Sequence, residues 1–316
     1  MPYTDLRSFL STLESSGELH RVKLEVDPEL EITEIAVRAV KEKLPALFFE
    51  KVKGSPYPLA IGVLASEKRI ELALGKHPQQ IGEELLALLE RLNPPTAKTI
   101  LQSLPSLFRF SKMRQSKSLI AHSQEIAEEP DLSTIPIIRC WPKDGGRFIT
   151  FGLVITHDPR KGRRNMGVYR MQVYDKSSTG MHWHIAHGGS AHAAEARGRT
   201  MDVGVVIGCD PAMLLASVAP LPEGMDEIAF AGYLRGKPTA MIRAKTIGMD
   251  VPANAEIILE GTVDPNEWRP EGPFGDHFGH YSHVAPFPVF HIRRVTRRKN
   301  PIYLAAVVGK PPQEDK

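Results

Sequence analysis

Apolar positions in the first hundred residues alternate between two rhythms. Leu6, Phe9, Leu10 and Leu13 recur at the spacing of one helical face between Asp5 and Ser16, with Thr4 placed to cap the start and Gly17 to end it. Val22, Leu24 and Val26 then alternate with charged residues as in a strand, and Ile32, Ile35, Ala36 and Val40 return to the helical period. Apolar runs at Ala46 to Phe49 and Leu59 to Leu64 predict further strands, and helices are expected near Glu67 to Leu74, Gln79 to Leu92 and Ala97 to Leu104. Asn93-Pro94-Pro95 separates the last two. A mixed helix and strand domain over 1–115 follows, with the polar stretch 116–135 as its exit.

After Pro136 the pattern changes to strands joined by turns. Phe148 to Thr156, Gly167 to Tyr174 and Met181 to His184 read as successive strands, and a short helix near Ala191 to Arg197 follows. A buried strand at Val203 to Ile207 and a helix at Met225 to Leu234 come next. Thr239 to Thr246, Ala255 to Val263, Pro288 to Val295 and Ile302 to Val308 then complete a strand count sufficient for a barrel-like sheet. The expected fold class is α+β, a mixed domain followed by a sheet domain over 136–310.

Composition narrows the function classes. At 316 residues, 42% apolar and 24% charged, the chain has the balance of a globular protein of about two domains. Lys plus Arg number 40 against 37 Asp plus Glu, so no global field steers it to nucleic acid. Cys140 and Cys209 lack a partnered spacing, which argues against a disulfide framework or thiolate zinc site and fits reduced thiols in cytoplasm. No apolar signal region and no run of about 18 apolar residues is present, so neither export nor a membrane span is expected.

Candidate chemistry concentrates in the second half. Glu271 and Asp276 flank a Gly-Pro-Phe-Gly turn that can neither continue a helix nor pair as a strand interior. Such a turn either aims two acids into one cleft, where one stays charged and the other delivers a proton, or is a solvated acidic loop. The basic turn Arg160 to Arg164 precedes Asn165-Met-Gly-Val-Tyr-Arg-Met-Gln172, which suits a nearby phosphate or simply a solvated hairpin tip. Strand parity places Arg170 and Gln172 on one face, where the guanidinium could clamp a carboxylate or phosphate. Gly167 permits close approach of a ligand or marks a bulge.

Eight of the 12 histidines fall in two groups, His182, His184, His187 and His192, and His277, His280, His283 and His291. A zinc site lacks support from cysteine or a His-Glu-x-x-His helix. Asn165 with one His and one carboxylate better suits manganese or magnesium beside a phosphate. Glu227, Glu223 and Asp226 compete for the carboxylate role.

Asn165-x-Gly-x-Tyr-Arg-x-Gln, Pro220-Leu-Pro-Glu-Gly-Met-Asp-Glu227, Val251-Pro-Ala-Asn-Ala-Glu256 and Glu271-Gly-Pro-Phe-Gly-Asp276, in this order, resemble the UbiD family of prenylated-FMN decarboxylases. The resemblance runs from the N-terminal helix to Gly309-Lys-Pro-Pro-Gln-Glu-Asp. It implies a split β-barrel flavin-binding domain in which Asn165, His187 and Glu227 hold Mn2+ or Mg2+ against the cofactor phosphate, with K+ alongside. Met166, Val168, Tyr169, Arg170, Gln172, His182, Trp183, His184, His187 and Gly188 would line the flavin. Arg170, Glu271 and Asp276 would be catalytic, with Asp276 the proton donor. Loss of carbon dioxide from an unsaturated carbon leaves a carbanion that requires an organic electron sink.

The implied reaction is reversible, non-oxidative decarboxylation of an aromatic or α,β-unsaturated acid, in ubiquinone or menaquinone biosynthesis, with a flavin prenyltransferase supplying cofactor and a homo-oligomer expected. Family members continue into a further C-terminal domain, so 311–316 reads as an interdomain passage cut short. The alternative is therefore a non-catalytic flavin-binding fragment or one subunit of a split decarboxylase. A split-barrel flavin reductase is a third reading, but it leaves the Glu271 and Asp276 pair without a purpose.

Overall fold

A computed structural model of the chain describes residues 3–91, 110–160, 162–183, 188–196, 198–222 and 224–314. The expected helix at Ala97 to Leu104, the Asn93-Pro94-Pro95 separator, His184, His187 and Glu223 lie outside the described residues.

The first helix, Leu6–Ser15, buries Leu6, Phe9, Leu10 and Leu13. Asp5 rather than Thr4 caps it, accepting from Ser8 N at 2.9 Å, because a carboxylate at that position satisfies an otherwise unpaired helical N–H. Strands Leu19–Val26 and Ala46–Val52 pair in parallel, joined by the crossover helix Glu31–Lys41. Leu59–Ile61 adds antiparallel to the second of these. Helix Glu67–Leu74 runs from its Ser66 cap to Gly75 in the left-handed region.

The fourth strand of this sheet is Tyr303–Ala305, parallel to Leu59–Ile61. The apolar run at Ile302 to Val308 was expected to complete the second sheet, and it joins the first instead. Tyr303, Leu304 and Ala305 have no exposed surface, as suits a parallel strand covered on both faces.

The second sheet is organised by a long antiparallel hairpin, Ile257–Glu271 with Ala285–Arg297. Gly261 sits at a register shift of this pair, where a Cβ would come 2.0 Å from the His291 carbonyl oxygen. Met201–Ile207, Leu153–His157 and Arg164–Val168 extend the sheet from one arm, and Ser178–Gly180 and Ile126–Glu128 pair with the other. The strands follow an open path, with no closed barrel among the described residues.

Several boundaries differ from expectation. The stretch Gly167 to Tyr174 divides into Arg164–Val168 and Met171–Gln172, the latter pairing with Phe148–Ile149. Residues 181–183 lie beside the sheet, while Ser178–Gly180 provides the strand. The polar stretch after residue 115 is fastened to the second half. Gln115–Lys117 pairs with Thr239–Arg243, and Ile126–Glu128 with Ala285–Arg297.

Candidate active site

The long hairpin stops pairing at Glu271 and Ala285, and residues 272–284 leave the sheet as a loop. Gly272 makes the turn possible with φ 101°, a conformation that side chains rarely tolerate. Within the loop Gly275 bridges Tyr281, and Asp276 N donates to the His280 carbonyl at 3.0 Å. Asp276 is thereby carried at the apex of a small secondary turn.

The break between Met171–Gln172 and Arg164–Val168 delivers Arg170 to this loop. Its Nε lies 3.0 Å from Glu271 Oε1 and its Nη2 lies 3.4 Å from Glu271 Oε2, a two-point contact. Its Nη1 stands 3.5 Å from Asp276 Oδ2, and its Nη2 also donates to Ser282 Oγ at 3.3 Å. The Phe274 ring faces the guanidinium at 4.6 Å. His182 Nδ1 lies 2.6 Å from Glu271 Oε2, and its ring packs on Phe287.

The two acids are held differently. The Glu271 side chain has no exposed surface and is shared by Arg170 and His182, whereas the Asp276 side chain keeps 27% exposure. Asp276 Oδ1 accepts from His277 N at 2.6 Å and also contacts the His277 ring. Its contact with Arg170 is the longest in the cluster, and it is the more exposed of the two acids. Tyr174 closes the other side of Glu271, and burial plus the carboxylate push its phenol up to about 12. Gln172, on the short strand, donates to the Gly145 carbonyl at 2.9 Å and accepts from Gly272 N at 2.7 Å.

A second polar group adjoins the strand Arg164–Val168. Glu227 opens helix Glu227–Arg235, and its Oε2 accepts from Met166 N at 3.0 Å. Burial raises its carboxyl, and among the described residues it accepts hydrogen bonds only from backbone N–H groups. Asp226 is committed elsewhere, capping the helix through Ala229 N and pairing with Arg164. Asn165 Nδ2 reaches the Tyr169 hydroxyl at 3.4 Å, and Gly189 N reaches the same oxygen at 3.3 Å.

Some residues here could contribute to holding a divalent cation or a flavin. A half-buried carboxylate with no bonded cationic side chain among the described residues, and the amide oxygen of Asn165 on the adjoining strand, are hard donors of the kind that manganese or magnesium prefers. Trp183 Nε1 is buried without a hydrogen-bond partner among the described residues. A Cβ at Gly189 would come within 2.8 Å of it, so glycine there permits the close approach of the Trp183 ring. Met166 and Tyr169 turn their side chains inward, Val168 is half-buried, and Gly188 begins helix Gly188–Glu195.

The histidines disperse. His192 is buried 2.8 Å from Thr156 Oγ1, His182 serves Glu271, His277 contacts Asp276, and His291 pairs with Glu267. No group of three or more His, Cys, Asp or Glu side chains is arranged around a common metal position among the described residues. The basic turn is also partly compensated, with Arg160 on Glu195 and Arg164 on Asp226. Both cysteines are buried and in no disulfide, and no described helix is long and apolar enough to cross a membrane. Sequence reasoning missed Ser282, Phe274, Trp141 and Asp144. Lys143-Asp144-Gly145-Gly146 is legible as a turn, but its partner at Gly275 is 131 residues away.

Residues 112–311 match the 3-octaprenyl-4-hydroxybenzoate carboxy-lyase Rift-related domain, UbiD, and residues 10–89 match the N-terminal domain of the same carboxy-lyase. The chain belongs to the UbiD family. It is 48% identical over its whole length to an uncharacterized protein of Archaeoglobus fulgidus, and it spans 66% of that protein. Among solved structures it resembles vanillic acid decarboxylase of Sedimentibacter hydroxybenzoicus in closed form, at 30% identity and TM-score 0.86. That match covers 99% of this chain and 66% of that one. It also resembles an evolved dimeric form of the UbiD-class enzyme HmfF of Pelotomaculum thermopropionicum in complex with prenylated FMN. There the identity is 30% and the TM-score 0.84, with 99% of this chain and 69% of that one covered. The mixed α/β architecture is therefore that of the UbiD-class enzymes.

Proposed function

We propose that this UbiD chain catalyses non-oxidative, reversible decarboxylation of an aromatic or α,β-unsaturated carboxylic acid with prenylated FMN. The observation that carries the reading is Arg170, fixed through two contacts on buried Glu271 and facing the half-open Asp276. Vanillic acid decarboxylase and HmfF with its prenylated FMN, both similar to the chain, support the reaction class and the cofactor. The 3-octaprenyl-4-hydroxybenzoate name of the matched family favours a quinone-pathway substrate of the polyprenyl hydroxybenzoate or carboxynaphthoate type.

Bound prenylated FMN would supply the sink for the electron pair left when carbon dioxide departs. Arg170 binds the substrate carboxylate or the cofactor through the guanidinium edge that Glu271 leaves available. Glu271 and His182 keep that guanidinium oriented. Asp276, in its protonated form, gives its proton to the substrate carbon, and re-protonation from solvent at the loop mouth resets it. Phe274 and Phe287 exclude water from the inner side. Asn165, Glu227 and His187 would hold Mn2+ or Mg2+, with K+ beside it. Met166, Val168, Tyr169, Gln172, Trp183, His184 and Gly188 would line the flavin.

In this reading residues 136–310 form the split-barrel flavin domain. A cytoplasmic homo-oligomer receives its cofactor from a flavin prenyltransferase. The exposure of Asp276 also favours a second reading, a flavin-holding part of a longer or split decarboxylase. The test is to produce the chain with a flavin prenyltransferase, supply manganese and potassium, and measure bound cofactor by mass and absorption. Carbon dioxide release from a panel of aromatic acids follows. Near-stoichiometric flavin with turnover, lost by about 10²-fold or more in Asp276→Asn while flavin is retained, supports catalysis. Flavin without turnover supports the second reading, and absence of flavin sinks both.

A further inference from the structure

The 141–145 turn, outside the residues assigned so far, meets the acid loop at four places. Asp144 Oδ1 accepts from Gly275 N at 2.8 Å, and Gly145 N donates to the Pro273 carbonyl at 2.7 Å. Lys143 N donates to the Tyr281 hydroxyl at 3.3 Å. The Trp141 ring lies so close to Gly275 that a Cβ there would come 2.1 Å from Trp141 Cδ1. Gly275 immediately precedes Asp276.

The turn itself is rigidly built. Asp144 N donates to the Trp141 carbonyl at 3.0 Å, and Trp141 N returns a bond to Asp144 Oδ2 at 2.9 Å. Arg139 Nη2 donates to the carbonyls of both Pro142 and Asp144. Trp141 Nε1 donates to the Val308 carbonyl at 2.8 Å, which fixes the ring from behind. Asp144 is 3% exposed, and its burial raises its carboxyl. A buried carboxylate here is costly unless both oxygens are used. Each oxygen meets a different backbone N–H, one in its own turn and one in the acid loop. An asparagine offers only one oxygen, so its amide NH2 would face one of those donors.

We infer that Asp144 is a positioning residue for Asp276, acting through the Gly275 amide as part of a Trp141–Gly145 brace. The inference rests on the decarboxylase reading for its catalytic consequence, but the brace has its own readout. Misplacement of a reacting group by about 1 Å costs on the order of a hundredfold in rate. A loop amide freed from its acceptor exchanges faster with solvent.

The experiment compares wild type, Asp144→Asn and Gly275→Ala in the 316-residue chain loaded with prenylated FMN. It records hydrogen–deuterium exchange over 272–281 and turnover per bound flavin. Asp144→Asn is expected to raise exchange there about tenfold and lower kcat about tenfold or more, with KM and flavin occupancy within about threefold of wild type. General destabilisation would instead lower flavin occupancy and leave turnover per flavin unchanged. Gly275→Ala, which pushes the loop off Trp141, is expected to show the same signature and serves if the first variant does not fold. Unchanged exchange over 272–281, or turnover per flavin within about twofold of an active wild type, overturns the inference. If wild type itself is inactive, the decarboxylase reading fails, and the exchange contrast alone decides whether the brace exists.

Discussion

Glu271 carries a carboxylate with no exposed side-chain surface, and two neighbours make that tolerable, Arg170 on one edge and His182 on the other. Glu271→Gln keeps the shape but weakens the two-point hold on Arg170 and replaces one acceptor with a donor facing it. Turnover per bound flavin is expected to fall about a hundredfold, with flavin stoichiometry unchanged, in steady-state assays of flavin-loaded protein. A second residue-scale consequence concerns pH. Burial lowers the imidazole pKa of His192 below its ordinary 6.5, and burial, Arg164 and His192 together lower that of His157. The fold therefore favours the neutral form of both. As pH falls below 6.5 the unfolded chain binds protons that the folded chain resists, so stability declines until the folded pKa values are passed. Thermal unfolding followed from neutral to mildly acidic pH is expected to show this loss, with a shallower slope in His192→Gln. An unchanged slope would count against His192 as a source.

Helix Leu6–Ser15 shows how one element is fixed to the far part of the chain. Arg7 reaches Glu256 through two bonds of 2.9 Å, and Glu256, with no exposed surface, also accepts from Ile302 N and lies 3.4 Å from Arg298. Glu256→Gln removes the charge between two arginines and is expected to cost about 2–4 kcal/mol, read from the urea midpoint at constant m-value. The helix itself was legible because Leu6, Phe9, Leu10 and Leu13 form a stripe, and a local period needs no tertiary information. The Val251-to-Glu256 motif was visible too, but not that its glutamate would serve as a structural junction. Ile302 to Val308 was readable as buried, yet an apolar run cannot say which sheet buries it. The Glu271 and Asp276 pair was legible because Gly272 and Pro273 force the chain out of the sheet. Arg170 was placed on a continuous strand, whereas the ladder breaks after Val168 and resumes at Met171. The turn that carries Asp144 is locally legible, but the roles of Asp144 and Ser282 are not, since they depend on contacts with Gly275, Arg170 and Phe274.

At the scale of the molecule, the chain closes on itself. After the second sheet it returns as Tyr303–Ala305 to become the fourth strand of the first sheet. The segment that follows docks there as well. Glu314 accepts from Gly62 N at 2.9 Å and Leu64 N at 2.7 Å, and Gln313 is buried. Between these points Trp141 packs on Gly309 and on Gly275, so the docked segment and the acid loop share one side chain. The first sheet is thus completed by chain that follows the second, and the unfolding of the two is expected to be a single transition. The three tryptophans, Trp141, Trp183 and Trp268, all lie outside the first sheet, so their fluorescence reports the second half while exchange at Leu59–Ile61 reports the first. Both probes are expected to share one urea midpoint. Glu314→Ala leaves the Gly62 and Leu64 amides without their acceptor at an expected cost of about 1–3 kcal/mol, and it should move both midpoints together. A shift confined to the Leu59–Ile61 probe would mean that the sheets unfold separately and that the returning strand does not couple them.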